Sequence, residues 1–135
     1  MTFSIPYDEL SAFIRTYSNL VVDMKLSGEE VVSVIFRHPK ASALELKVNM
    51  KVLSVQGKIL SVEYSTTGLV EELLRTSTSM FGSSFFDKAV SFDTHLKKIC
   101  IYLDNISPLE HVLEHLVLER MSFDDKGVNI HARLI

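Results

Sequence analysis

The spacing of apolar residues along this chain switches between helical and alternating periods several times, and each switch marks an element. Leu10, Phe13, Ile14 and Tyr17 recur at helical spacing. Pro6 with Asp8 and Glu9 suits the start of that helix, and Ser18-Asn19 suits its end. From Leu20 the period becomes two: Leu20, Val22, Met24 and Leu26 are apolar, with Asp23 and Lys25 between them. Ser27-Gly28 is expected to turn the chain into a partner strand over Val31 to Phe36. In that strand Val32, Val34 and Phe36 share one face and Val31 and Ile35 the other, which predicts a strand covered on both sides.

Arg37-His38-Pro39-Lys40 interrupts the alternation and reads as a loop. Leu44, Leu46, Val48, Met50 and Val52 then alternate with Glu45, Lys47, Asn49 and Lys51, and the phase slips to Leu53 and Val55, as a β-bulge would make it. Gln56-Gly57 turns into a strand with Leu60, Val62 and Tyr64 on one face. A second helix follows, capped by Thr67, carrying Leu69, Val70, Leu73, Leu74, Met80 and Phe81, and closed by Gly82. Strand spacing returns between Phe86 and Leu103, with Lys97-Lys98 as a bulge, a turn or an edge. Ser107-Pro108-Leu109-Glu110 reads as a capping box opening a third helix whose buried face is Leu109, Val112, Leu113 and Leu116. Val117 to Phe123 and Val128 to Leu134 close the chain as a hairpin around Asp124 to Gly127. The sum is one α+β domain over 1–135: a mostly antiparallel, twisted sheet of about six to eight strands, packed by three helices.

Composition narrows the function classes. The chain of 135 residues is 47% hydrophobic and 23% charged, which is globular usage. Its net charge of -3 works against nucleic-acid binding, which draws its affinity from a basic footprint. Cys100 is the single cysteine, so disulfides within the chain and multi-cysteine zinc sites are excluded, and between Ile99 and Ile101 it reads as a small buried hydrophobe. Charges interrupt every apolar run before it reaches the length of a membrane span, and the N-terminus lacks the pattern of a secretory signal. The expected compartment is the cytoplasm; a chain trimmed of a leader would read the same way.

One stretch carries candidate chemistry. His111-Val112-Leu113-Glu114-His115 resembles the H-x-x-E-H motif of inverzincin metallopeptidases, which implies a zinc held by His111 and His115 with Glu114 as general base. The resemblance covers these five residues. Those enzymes take a further Glu from a distant downstream helix, whereas only 20 residues follow His115, and they read as a hairpin containing Glu119. If Leu109, Val112, Leu113 and Leu116 face the core, both histidines point to solvent. Other candidates read as structure. Thr66-Thr67-Gly68 is a cap without a phosphate-loop sequence, and the hydroxyl-rich run from Thr76 to Ser84 lacks a nucleophile elbow. Arg37, His38 and Lys40 read as a solvated loop, and His95 and His131 as exposed strand residues. No carboxylate pair sits in an apolar setting suited to acid–base work.

What stands out is apolar content beyond the needs of one sheet face. It points to a non-catalytic binding module without a cofactor, whose sheet forms an apolar groove for a small molecule or lipid, or a homodimer face. The residues expected to line it are Val34, Phe36, Val62, Tyr64, Ile101 and Leu103. The ending of the chain, a strand through Leu103, a Ser-Pro helix start and a hairpin on Asp124 to Gly127, resembles segments of bacterial lipid-carrying folds with curved sheets around a helix. That resemblance covers the last third, implies a lipid ligand and transfers no functional residue. The alternative function is a small zinc-dependent hydrolase using His111, Glu114 and His115.

Overall fold

The computed structural model describes residues 1–18, 20–38, 41–76 and 89–135, side chains excepted at 18, 38, 41–44 and 73–76. In chain order the elements are β1 (Thr2–Pro6), α1 (Tyr7–Ser18), β2 (Val21–Gly28), β3 (Val31–His38), β4 (Ala41–Gln56) and β5 (Ile59–Thr66). Then come α2 (Gly68–Thr76), β6 (Val90–Asp93), β7 (Lys98–Tyr102), a 3₁₀ turn (Leu103–Asn105), α3 (Ser107–Leu113), β8 (Leu116–Phe123) and β9 (Gly127–Leu134). All strand pairs are antiparallel and fall into two sheets, one of six strands in the order β2-β3-β4-β5-β7-β6 and one of three in the order β1-β9-β8. The α+β expectation therefore holds, with nine described strands in place of six to eight.

Directly opposed residues in antiparallel strands share a sheet face, so the registers fix one long apolar surface. Leu26, Val32, Met50 and Tyr64 form one row across the large sheet, and Met24, Val34 and Val48 the next. Val52, Val62, Ile99 and Phe92 continue the surface, followed by Val55, Leu60, Ile101 and Val90. Leu10, Phe13 and Ile14 of α1, Leu109 and Leu113 of α3, and Met121, Phe123, Val128 and Ile130 of the small sheet belong to the same core. Burial of a Val or Leu side chain is worth about 1.5–3 kcal/mol, and Leu20, Val32 and Val48 are almost wholly enclosed.

Turn chemistry sets the registers. The first hairpin turns on Glu29-Glu30 and not on Ser27-Gly28: Gly28 is still paired with Val31, and Glu30 takes the left-handed conformation at φ 56. The register slips between Leu26 and Gly28, and with this bulge the strand runs two residues further than its hydrophobic pattern implies. The expected bulge in β4 is present between Val52 and Ser54, leaving Leu53 exposed. Gly57, at φ 63, makes the next turn. Arg37 and His38 lie within β3, because Arg37 is held across the ladder by Glu45 and Asp23. The segment 94–97 is a true turn: the Asp93 carboxylate accepts from the backbone N–H groups of His95 and Leu96, and Lys97 closes it at φ 55. His95 is therefore a turn residue, not a strand residue.

Two helix expectations change. In α2 the Thr67 hydroxyl does accept from the Val70 N–H at 3.4 Å, and Val70 is buried, but Leu69 lies 71% exposed. Leu73 and Leu74, by their side chains, and Met80, Phe81 and Gly82 lie outside the described residues. In α3 no capping box forms. The cap position is Ile106, a buried residue without a capping side chain, and Ser107 is already helical. Burying Ile106 starts the helix one residue early, which leaves the Ser107 hydroxyl out of the cap position. Val112 is 48% exposed, and Leu116 has passed into β8.

Candidate functional site

The six residues expected to line an apolar groove lie in or against the core. Val34, Val62, Tyr64 and Leu103 are buried; Phe36 and Ile101 are half-buried and pack against the same cluster. Five of them sit on the inner face of the large sheet, and Leu103 begins the 3₁₀ turn where β7 ends. Tyr64 meets Phe92 edge to face, ring centroids 6.4 Å apart, on β5 and β6. At the margins of this face several large apolar side chains are only partly covered: Met24, Phe36, Phe92 and Ile101. Sequence alternation alone does not distinguish these margins from the enclosed centre, because both carry the same residue types.

The opposite face of the sheet is polar. Arg37 binds Asp23 at 3.0 Å and Glu45 at 2.8 Å, and these carboxylates, with the hydrogen bond to Glu45 foremost, raise its pKa further. Val31 and Ile35, expected beneath a second cover, are half-buried on this face. Cys100 is half-buried there too, across from Ser61 and Ser91, and so is not the enclosed hydrophobe its neighbours imply. Ser33 and Asn49 oppose one another on the β3–β4 ladder, and Ser33 Oγ and Asn49 Oδ1 are buried with no hydrogen-bond partner among the described residues.

The small sheet carries a second polar system on its outer face. His131 stands between Thr2 and Arg120: its Nδ1 lies 3.2 Å from the Thr2 hydroxyl and its Nε2 3.1 Å from Arg120 Nη2. Because a guanidinium only donates, the geometry assigns Nε2 as acceptor and the Nδ1–H as donor to Thr2. Beside it Ser4 donates to Asn129, and Asn129 donates to the Asp124 carboxylate, which also accepts from the Lys126 and Gly127 N–H groups. The Asn129 bond, then those two backbone bonds, hold the Asp124 carboxyl below its usual value. Tyr7 donates its hydroxyl to the Asp124 carbonyl oxygen, and burial, aided by Asp124 and Asp125, pushes the Tyr7 phenol up.

A cleft of about 550 Å³ opens where β8 passes the overhanging end of β4, lined by Glu30, Val52, Leu53, Ser54, Val55 and Glu119 to Ser122. Both strands bulge here, β4 at Leu53 and β8 at Glu119. No sequence pattern announced it, since it arises from two bulges 66 residues apart in the chain (119 − 53).

The H-x-x-E-H residues are displayed on the surface. α3 ends at Leu113, so His115 lies in the following turn, its N–H donating to the Val112 carbonyl. The His111 side chain is 90% exposed, and its Nδ1 lies 3.8 Å from Glu114 Oε2. Among the described residues no group of three His, Cys, Asp or Glu side chains is placed to hold a metal ion. None of the described helices is long and apolar enough to cross a membrane. Comparison with protein-family models, curated proteins and solved structures finds no match.

Proposed function

We propose that this chain is a non-catalytic binding module that holds an apolar small molecule, with a lipid acyl chain as the fitting class, against the inner face of its large sheet. The observation that carries the reading is the incompletely covered margin of that face, where Met24, Phe36, Phe92 and Ile101 remain partly exposed around an enclosed centre. Such side chains surround an acyl chain at no cost in unpaired polar groups, and methionine adapts its shape to the occupant. The cover over the face comes from separate pieces, α1, α3 and the small sheet, and can yield locally without unpairing the large sheet.

The test is mass spectrometry of organic extracts from the purified protein, beside titration with a fluorescent fatty acid. Saturable binding, weakened by Phe36→Ala and Ile101→Ala in variants that keep their circular dichroism, is the expected result. Absence of both co-purifying lipid and probe binding would overturn the reading.

A further inference from the structure

We infer that two copies of this chain pair through the outer edge of β2, antiparallel and centred on Met24. β2 is one end of the six-strand order, so among the described residues no strand bonds its far side. A free edge presents unpaired N–H and C=O groups, and proteins commonly defend it with charged side chains, proline, a bulge or a covering helix. β2 has no proline, its bulge lies only at its last turn, its two charges are of opposite sign, and α1 packs against it through the core residues Leu10, Phe13 and Ile14.

Its side chains are instead self-complementary about Met24. A two-fold axis there sets Asp23 against Lys25 of the second copy and Lys25 against its Asp23, which gives two pairs of opposite charge on the outer face. On the inner face the same axis sets Val22 against Leu26 and Met24 against Met24, so the apolar surface continues from one copy into the next. Met24 and Leu26, half-buried in one chain, gain an apolar neighbour each.

The pattern also selects its register. Moving the axis to Asp23 opposes two aspartates, and moving it to Lys25 opposes two lysines. An axis between residues turns apolar side chains of one copy to the polar face of the other. Of the other sheet edges, β1 ends in Pro6 and bears no charged side chain, β6 has four residues with Asp93 alone charged, and in β8 the two charges, Glu119 and Arg120, meet at a bulge that interrupts the alternation. Asp23 already accepts from Arg37 at 3.0 Å, and a carboxylate has room for a further donor.

Sedimentation velocity over a concentration series tests the inference. The wild type is expected to dimerise, less so as salt screens the outer pairs. Asp23→Lys and Lys25→Asp are each expected to weaken dimerisation about tenfold or more. An equimolar mixture of the two restores it, because two lysines of one copy then face two aspartates of the other. Circular dichroism confirms folding; should Asp23→Lys unfold through loss of the Arg37 contact, Met24→Cys in a Cys100→Ser background supplies the second measurement. Cysteines at the axis are expected to oxidise to a linked dimer, while Ser27→Cys, about 20 Å from its copy at ~3.3 Å per residue, does not. A wild type that stays monomeric throughout, variants that dimerise as well as the wild type, or a folded mixture that fails to recover would each overturn the inference, as would a Met24→Cys protein no quicker to link than Ser27→Cys.

Discussion

Gly127 is the position where one added methyl group should do most damage. It opens β9 and is buried against β1, where it is paired with Pro6. A Cβ there would lie 2.1 Å from the Ile5 carbonyl oxygen and 2.8 Å from both Ile5 C and Pro6 Cα. Non-bonded carbons settle at about 3.5–4.0 Å, so β1 would have to retreat by on the order of 1 Å. These three nearest atoms are all backbone, so no side-chain rotation moves them out of the way. Among the described strands β1 is an edge bonded only to β9, so the cheapest response is to unzip from it. Unzipping gives up several ladder hydrogen bonds at about 1 kcal/mol net each, together with the Tyr7 bond to Asp124. The expected cost of Gly127→Ala is about 3 kcal/mol, at the upper end of ordinary single substitutions.

Urea unfolding followed by circular dichroism measures it, as a fall in midpoint of roughly 1.5–2 M at a slope of about 1.5–2 kcal/mol/M. Two other glycines separate the causes. At Gly57 nothing lies within 4 Å of an added Cβ but φ is +63, so Gly57→Ala should cost about 1 kcal/mol through backbone conformation alone. At Gly68 the space is open and no such φ applies, so Gly68→Ala should be neutral or mildly stabilising. If Gly127→Ala stays within about 0.5 kcal/mol of wild type, the close approach of β1 to β9 is wrong; if all three variants cost the same, the steric reasoning is wrong.

Glu30→Gly removes the left-handed penalty at φ 56, about 1–2 kcal/mol, against a backbone entropy loss of about 0.5–1 kcal/mol; thermal unfolding should show a net gain of about 0.5–1 kcal/mol, and a loss would contradict the turn geometry. Ser33→Ala deletes a buried hydroxyl that has no partner among the described residues, so its removal should stabilise by about 1 kcal/mol; destabilisation in the same assay would mean that the hydroxyl is satisfied. Asp124 has a folded pKa below its unfolded value, so its bonds to Asn129, Lys126 and Gly127 add stability that is present above the usual carboxylate range and is lost as pH falls through the folded value. Urea midpoints taken from about pH 6 down to about pH 2 should therefore fall less steeply in Asp124→Asn than in wild type; identical slopes would remove Asp124 from the acid response.

The hairpins were legible in the chain itself. Alternation of Leu46, Val48, Met50 and Val52 with charged and polar neighbours specifies both a strand and its inward face, and the phase slip at Leu53 locates a bulge that the register confirms. These are local facts, set by a side-chain period of two and by the steric needs of turns. The α+β class follows from the same local signals, because three amphipathic helical stretches must cover what the alternating strands expose.

Long-range pairing was not legible. Thr2–Pro6 is too short to declare itself, and it becomes a strand only because β9, over 120 residues away, offers it an edge; Gly127 leaves room for that approach. The cap of α3 passed from Ser107 to Ile106 because a buried isoleucine outweighs a solvent-exposed capping hydroxyl. The same limit applies to the candidate sites. His111, Glu114 and His115 sit at a spacing that suits metal, yet the helix stops at Leu113 and leaves them on the surface. Val34, Val62 and Tyr64 share one apolar face, as their alternation implies, but whether that face is enclosed or left open at its margins depends on how α1, α3 and a second sheet meet above it. Local periodicity thus determined most of the elements and their apolar sides, β1 and the ends of α3 excepted. Only tertiary packing decided which of those sides closed into core, where two bulged strands left a cleft, and which strand remained an edge.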